Sequence, residues 1–431
     1  MEDAERLESE LRSYRPAGYE AFPASFIWPR YEGACVGNLP ASIAHALGAE
    51  MPVPLPGLRA SLMDALFPGV WRVVFILVDA LGWLQLRSVM KRNPGTALER
   101  LGAAGRLVPM TTSFLSTTNS VLSTIWTGYP PRQHGLLAFL MFLREWLMAV
   151  ESLGFSAAQE PFAGTLLRWG FEPEAFMPVP GLAQHLAAQS IPTYGVIYRG
   201  YTTTPLSRMN YRGFAEVKSH LTASDFWLEM RRTLHAHRQE RCLIAGYWSA
   251  VDSLAHSFGP YDESGEVETL AVSSLMESIF LDRLTPEDRE GTLFLLTADH
   301  GQITVPPESL VLLSDHPELR DRLLMPPLGE SRVPFFHVRH GELEAVWDYL
   351  NDRFGDRFLF MRQGDVIDAG LLGPGPDHPE LRHRLGDILG IATGDAAFER
   401  GAQVPAKMLG RHGGLTAEEM LVPLLAARLD A

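Results

Sequence analysis

Cysteine is nearly absent: Cys35 and Cys242 are the only two in 431 residues, and neither lies in a Cys-x-x-Cys pair. A disulfide framework is thereby excluded. Basic residues are also few, with 37 Lys and Arg against 51 Asp and Glu and a net charge of -14. An acidic surface repels nucleic-acid backbones and anionic membranes, so no general electrostatic grip on either is expected. An anionic substrate then needs a local positive site, which bound metal ions can supply. Long hydrophobic runs are missing too. The most apolar stretch with a helical look, residues 135–150, is broken by Arg144-Glu145 and is too short and too charged to span a bilayer. The opening residues Met1-Glu-Asp-Ala-Glu-Arg-Leu-Glu show no basic n-region and no apolar h-region, so the expected location is cytoplasmic.

What is present is an ordinary globular composition, 46% apolar and 20% charged, with ample chain to bury a core. Residues 1–60 carry scattered prolines and a small apolar helix near 41–49 and read as an N-terminal extension packed on the core. The runs Val73-Val-Phe-Ile-Leu-Val78, Cys242-Leu-Ile-Ala-Gly-Tyr247 and Thr292-Leu-Phe-Leu-Leu-Thr297 are short, continuous and apolar. Such runs are strands buried on both faces, as in a parallel sheet covered by helices. Helical patterns lie between them, for example residues 266–284. Strands alternating with helices predict an α/β three-layer sandwich with a mostly parallel central sheet. Residues 306–405 differ, with Pro-Pro at 306–307 and 326–327 and Gly-Pro-Gly-Pro at 373–376. They read as a smaller, partly inserted, cap-like subdomain. The core then comprises residues 61–305 and 406–431, with the chain returning near Lys407.

Five clusters carry chemistry, and three of them follow an apolar strand, where open α/β sheets bind ligands. Asp79 stands at the tip of the first strand. Ser116-Thr117-Thr118-Asn119-Ser120 places hydroxyls at a helix start, where the macrodipole and free N–H groups favour negative charge. Asp252 and His256 are spaced to share one helix face and one metal. Asp299-His300-Gly301 leaves a strand end, and the glycine permits a sharp turn. His412 lies in the loop Gly410-Arg-His-Gly-Gly414, before a final helix with a Thr416/Glu419 capping box. Taken singly, Asp79 and the hydroxyls also fit helix caps. Asp252 with His256 also fits an exposed pair, and His412 a plain loop histidine. Adjacent Asp299-His300 is the cluster that packing explains least.

Together the clusters resemble the alkaline-phosphatase superfamily, and most closely its type I phosphodiesterase/nucleotide pyrophosphatase branch. The matching order is strand-end Asp79, Thr118 nine residues before Thr127-Gly128, Asp252-x-x-x-His256-x-x-Gly259, Asp299-His300-Gly301 and His412-Gly413-Gly414. The resemblance runs from about residue 70 to the C-terminus and also makes Arg384-Leu-Gly-Asp-Ile388 a late core strand. It implies two divalent metal ions, one held by Asp252, His256 and His412, the other by Asp79, Asp299, His300 and the Thr118 oxygen. Mixed N and O ligands with an open position favour zinc, with manganese or iron as alternatives. The implied chemistry is hydrolysis of a small phosphate ester or nucleotide-like substrate through a covalent phospho-threonine on Thr118. Thr117 is the rival nucleophile and Ser116 a further alternative, while His134 reads as a turn residue.

The pattern departs from the family in one place. No asparagine follows His134-Gly135, where relatives use one to donate to a phosphoryl oxygen; Asn119 is the expected substitute. Monoesterase, phosphonate hydrolase, phosphomutase and non-catalytic metal-binding readings therefore stand beside the phosphodiesterase. Residues 136–142 read as core or as an apolar leaving-group pocket, and Tyr198, Arg199 and Tyr201 as a nucleotide clamp.

Overall fold

The computed structural model describes residues 2–158, 164–401 and 408–431. Its centre is a seven-stranded sheet in the order Arg106–Thr111, Leu421–Arg428, Thr292–Thr297, Arg72–Val78, Cys242–Trp248, Thr193–Tyr198, Glu216–His220. Five strands run parallel. Leu421–Arg428 runs antiparallel to both of its neighbours. Every residue of Arg72–Val78 and Thr292–Thr297 is buried, which is why these strands read as unbroken apolar runs. Two groups of helices cover the sheet. Trp83–Arg92, Ala97–Ala104 and Glu263–Leu275 pack together, as do Leu39–Ala46, Leu182–Ala187, Pro205–Asn210 and Thr118–Thr127. The architecture is the expected α/β fold.

A second seven-stranded sheet, antiparallel throughout, has the order Phe358–Arg362, Ile388–Ala392, Pro334–Phe336, Leu328–Gly329, Leu140–Leu143, Met148–Glu151, Ser156–Ala157. It combines chain from 328–392 with residues 140–157, which the sequence reading places in the core. A separate small core of Val311, Leu319, Phe336, Val346, Leu350, Phe354 and Phe398 lies within this part. The expected return of the chain near Lys407 falls outside the described residues.

Three expectations are corrected. Residues 135–150 are not helical: Leu140–Leu143 and Met148–Glu151 form a hairpin around the turn Arg144–Trp146. Met141 and Leu143 are fully buried while Leu140 and Phe142 are half-buried, a period of two rather than 3.6. Residues 384–388 are not a core strand: Leu381–Leu385 is a helical turn, Gly386 reverses the chain at φ 74°, and Ile388–Ala392 pairs in the second sheet. The helix capped by Thr416 lasts one turn, Ala417–Met420, before the chain enters the strand Leu421–Arg428.

Candidate active site

The predicted ligand residues come from four segments gathered at the carboxyl ends of the three middle strands of the central sheet. Asp79 follows Arg72–Val78, and Asp299 and His300 follow Thr292–Thr297. Asp252 and His256 lie on the helix Ala250–Phe258, next after Cys242–Trp248. His412 comes from the loop after the short strand Gly410–Arg411. The turn after Thr292–Thr297 presses on the helical turn Ala417–Met420 at Gly301, where a Cβ would lie 2.1 Å from the Glu418 carbonyl oxygen. Any side chain there would push the Asp299-His300 turn away from its neighbour.

The three histidines share one arrangement. Nδ1 of His256 lies 2.8 Å from the Gly410 carbonyl oxygen, that of His412 3.0 Å from Ser116, and that of His300 3.1 Å from Gly301. A carbonyl only accepts, so each Nδ1 is the donor to it and each Nε2 is left turned toward the cluster. Nε2 of His300 lies 3.5 Å from Asp79 Oδ1 and 3.6 Å from Asp299 Oδ2. Both oxygens are buried without a hydrogen-bond partner. One imidazole nitrogen and two carboxylate oxygens without hydrogen-bond partners thus converge, a donor set that suits a divalent cation. Burial, followed by the charges of Asp299 and Asp252, pushes the Asp79 carboxyl well above its ordinary range. Burial, followed by His300 and His256, pushes the His412 imidazole well below its own.

Two overlapping groups have ligand geometry: Asp79, Asp299 and His300, and Asp252, His300 and His412. His256 stands beside the second, its Nε2 3.3 Å from Asp252 Oδ1, and His412 Nε2 is 4.0 Å from the same oxygen. The remaining lone pairs are held in place. Tyr247 donates its hydroxyl to Asp79 Oδ2. The N–H groups of Ala80 and His300 donate to Asp299 Oδ1 at 3.1 and 3.0 Å.

Thr118 is the first residue of the helix Thr118–Thr127, and its Oγ1 lies 3.1 Å from His300 Nε2. The neighbouring hydroxyls are engaged elsewhere. Ser116 donates to the Gly414 carbonyl at 2.8 Å, and Thr117 donates to Glu330 at 2.7 Å. Asn119 does not face the cluster: its side-chain amide donates to the Ala138 carbonyl and to Ser152 Oγ, both at 2.6 Å. The expected substitution for the missing asparagine therefore finds no side-chain support, and what remains of Asn119 is its N–H in the first helical turn. His134 is buried, its Nδ1 accepting from the Leu136 N–H at 3.1 Å and its Nε2 3.0 Å from Thr124 Oγ1. Burial, then the charges of His378 and Arg384, pushes it down to about 3; it is a neutral structural group.

A cavity of about 480 Å³ opens from the cluster. Asp79, Thr118 and Asp252 line it with Leu122, Phe139, Leu206 and Tyr201. Phe139 is the one residue of 136–142 that faces it; Leu136, Leu137, Ala138 and Met141 are core. Of the suggested nucleotide clamp only Tyr201 is in the lining, with its hydroxyl 3.2 Å from Ser249 Oγ.

Two participants were not predicted. Gln302 donates to Asp252 Oδ1 at 2.6 Å and is buried. Its place two residues after His300 was the available signal. Glu330, in the turn before Pro334–Phe336, accepts from Thr117 and from the Phe139 N–H at 2.8 Å through one oxygen. A Cβ on Gly413, whose φ is +119°, would lie 2.7 Å from the Glu330 Cγ. Glu330 thus ties the second sheet to both the start of the Thr118 helix and the His412 loop.

The sequence matches the type I phosphodiesterase / nucleotide pyrophosphatase family over residues 73–415. No curated protein matches it in sequence. Among solved structures it is similar to murine ectonucleotide pyrophosphatase/phosphodiesterase 5, an inactive form in complex with AMP, at 15% identity and TM-score 0.61, covering 82% of this chain and 87% of that one. The human form of that protein is similar to the same degree, at 16% identity, TM-score 0.61 and the same coverage. Phosphonoacetate hydrolase from Sinorhizobium meliloti 1021, in complex with phosphonoformate, matches at 14% identity and TM-score 0.61 over 84% of this chain and 90% of that one. At these identities the likeness concerns the fold, while the family match covers most of the chain. The chain belongs to the type I phosphodiesterase/nucleotide pyrophosphatase family of the alkaline-phosphatase superfamily, hydrolases of phosphoric ester bonds.

Proposed function

We propose that the protein cleaves a small phosphodiester through a covalent phospho-threonine on Thr118, with two divalent metal ions in the His/Asp cluster. The observation that carries this reading is the convergence of the Asp79 and Asp299 oxygens, both without a partner, on Nε2 of His300, with the Thr118 hydroxyl 3.1 Å from that nitrogen. Asp79, Asp299, His300 and Thr118 would hold one ion, and Asp252, His256 and His412 the other. Zinc suits the mixed donors best, with manganese or iron as alternatives. When bound, the two ions offset the three carboxylates and lower the pKa of the Thr118 hydroxyl.

The chain's own residues do the rest. The Thr118 hydroxyl gives its proton to solvent and its oxygen attacks phosphorus; the bond to the leaving oxygen breaks, and that oxygen takes up a proton from solvent and departs as the alcohol. The free N–H groups of the first helical turn, that of Asn119 among them, favour the phosphoryl oxygens, as does the helix dipole. Gln302 holds Asp252, and the carbonyls of Gly301, Gly410 and Ser116 hold the imidazoles with Nε2 toward the site. Water then cleaves the phospho-threonine and restores the hydroxyl. The structural likeness to a form in complex with AMP supports a nucleotide-sized ester.

The test is hydrolysis of bis(p-nitrophenyl) phosphate against p-nitrophenyl phosphate by zinc-loaded protein, with Thr118→Ala beside it. Faster diester cleavage that disappears in the variant supports the reading. Cleavage of the monoester alone moves the protein to the phosphatase branch, and full activity in a folded, metal-loaded Thr118→Ala removes Thr118 as nucleophile.

A further inference from the structure

We propose that Glu330 is a specificity-determining residue: its carboxylate, at the start of the Thr118 helix, favours esters that carry one negative charge over esters that carry two. The inference rests on the phosphate-ester reading of the site and says how that site separates diesters from monoesters.

Glu330 reaches the site from outside the central sheet, in the turn between Leu328–Gly329 and Pro334–Phe336. One of its oxygens accepts from the Thr117 hydroxyl at 2.7 Å and from the Phe139 N–H at 2.8 Å. Thr117 immediately precedes Thr118, and Phe139 lines the cavity that Thr118 and Asp252 also line. On the other side Gly413 has no side chain to hold the Glu330 methylenes away: a Cβ there would lie 2.7 Å from Glu330 Cγ. The carboxyl is thus seated between the nucleophile segment and the His412 loop, where it interacts electrostatically with His300 and Asp252.

No cation of the chain compensates this charge. The two hydrogen bonds of Glu330 fall on one oxygen, and among the described residues it has no ion-pair partner. The arginines of the same joint are engaged elsewhere. Arg332 donates to both Glu419 oxygens at 3.0 Å, and Arg411 pairs with Glu399 and donates to Ser331 Oγ at 2.9 Å. The cavity lining has no Lys, Arg or His among the described residues. In the proposed site two divalent ions are balanced by Asp79, Asp252, Asp299 and the Thr118 oxygen, so Glu330 is a negative charge left over. A phosphoryl group at the helix start shares with this carboxylate the positive end of the helix dipole. A diester brings one negative charge there, and a monoester brings two above its second pKa of about 6. In a partly desolvated site the second charge should weaken the interaction by about tenfold. Holding Thr117 and Phe139 needs only an acceptor oxygen, which a neutral amide supplies equally well, so the effect of the charge is separable from that of the hydrogen bonds.

The test is kcat/KM of the zinc-loaded full-length protein for p-nitrophenyl phosphate and for bis(p-nitrophenyl) phosphate, in the wild type, Glu330→Gln and Glu330→Asp. The assay runs at about pH 8.5, above the value of about 7 to which burial raises this carboxyl. Glu330→Gln keeps an oxygen for both donors and removes the charge, whereas Glu330→Asp keeps the charge. In Glu330→Gln the monoester should gain about tenfold relative to the diester, while Glu330→Asp stays near the wild-type ratio. An unchanged ratio in Glu330→Gln, or the same shift in Glu330→Asp, would overturn the proposal. If Glu330→Gln fails to fold, Glu330→Ser, which also removes the charge, is measured in its place. Calorimetric titration with inorganic phosphate needs no turnover, and phosphate should bind about tenfold more tightly to Glu330→Gln than to the wild type. Tighter phosphate binding with no hydrolysis of either ester removes the hydrolytic reading alone. Hydrolysis with an unshifted ratio and an unshifted phosphate affinity removes the Glu330 assignment alone.

Discussion

Glu330 offers a quantitative test of how the second sheet is joined to the nucleophile helix. One of its oxygens accepts from both the Thr117 hydroxyl and the Phe139 N–H. Desolvation raises its carboxyl to about 7, against the lowering effect of those two donors. For an acid raised in the fold, the native state keeps a proton between 4.5 and about 7 that the unfolded chain has lost. Stability contributed by this group is therefore present at low pH and falls as pH rises through that window. The window corresponds to roughly 3 kcal/mol. Glu330 keeps some solvent contact, which screens the charge, so about 2 kcal/mol is expected. Glu330→Gln keeps an oxygen for both donors and cannot ionise. Urea unfolding of the metal-free wild type and variant at about pH 5 and about pH 8 isolates the effect, since every other titrating group is common to both. The variant should gain about 2 kcal/mol on the wild type between the two conditions. Parallel stabilities at both pH values would show that the carboxylate is not desolvated and that this account of the joint is wrong.

Arg332 and Glu419 form an ion pair that is fully buried on both sides, 3.0 Å apart. Arg332→Met should cost roughly 3–5 kcal/mol in denaturant unfolding, because the Glu419 charge is left unpaired, and Arg332→Met with Glu419→Gln should recover most of it. Gln302→Leu removes the donor 2.6 Å from Asp252 Oδ1. Metal affinity in a chelator competition should then fall by roughly 10–100-fold, and unchanged affinity would mean that Asp252 does not depend on Gln302 for its orientation.

The strands were legible because burial on both faces leaves an unbroken apolar run, as in Val73-Val-Phe-Ile-Leu-Val78. Asp79 and Asp299-His300 were legible because each follows such a strand, and Asp252 with His256 because their spacing puts them on one face of the helix after another. The hairpin at 140–151 reads as helical in the sequence because its outward positions are the half-buried Leu140 and Phe142 rather than polar residues, which hides the alternation. The strand Leu421–Arg428 was not anticipated; its pairing partners, 106–111 and 292–297, lie more than a hundred residues away in the chain. The same distance hides Glu330, 213 residues from Thr117. A lone glutamate in a polar turn carries no local pattern that points to a helix cap on another sheet. Among Ser116, Thr117 and Thr118 the resemblance prefers Thr118 by its spacing to Thr127-Gly128; that the Ser116 and Thr117 hydroxyls are engaged by Gly414 and Glu330 is visible only in three dimensions.

The central claim is the covalent phospho-threonine on Thr118, and acid quenching during steady-state turnover tests it most directly. Zinc-loaded protein would be quenched while cleaving bis(p-nitrophenyl) phosphate, digested and mapped by mass. The account predicts a phosphoryl adduct confined to Thr118 in the wild type and none in Thr118→Ala. An adduct on Thr117 or Ser116, or rapid turnover with no adduct trapped anywhere, would contradict it.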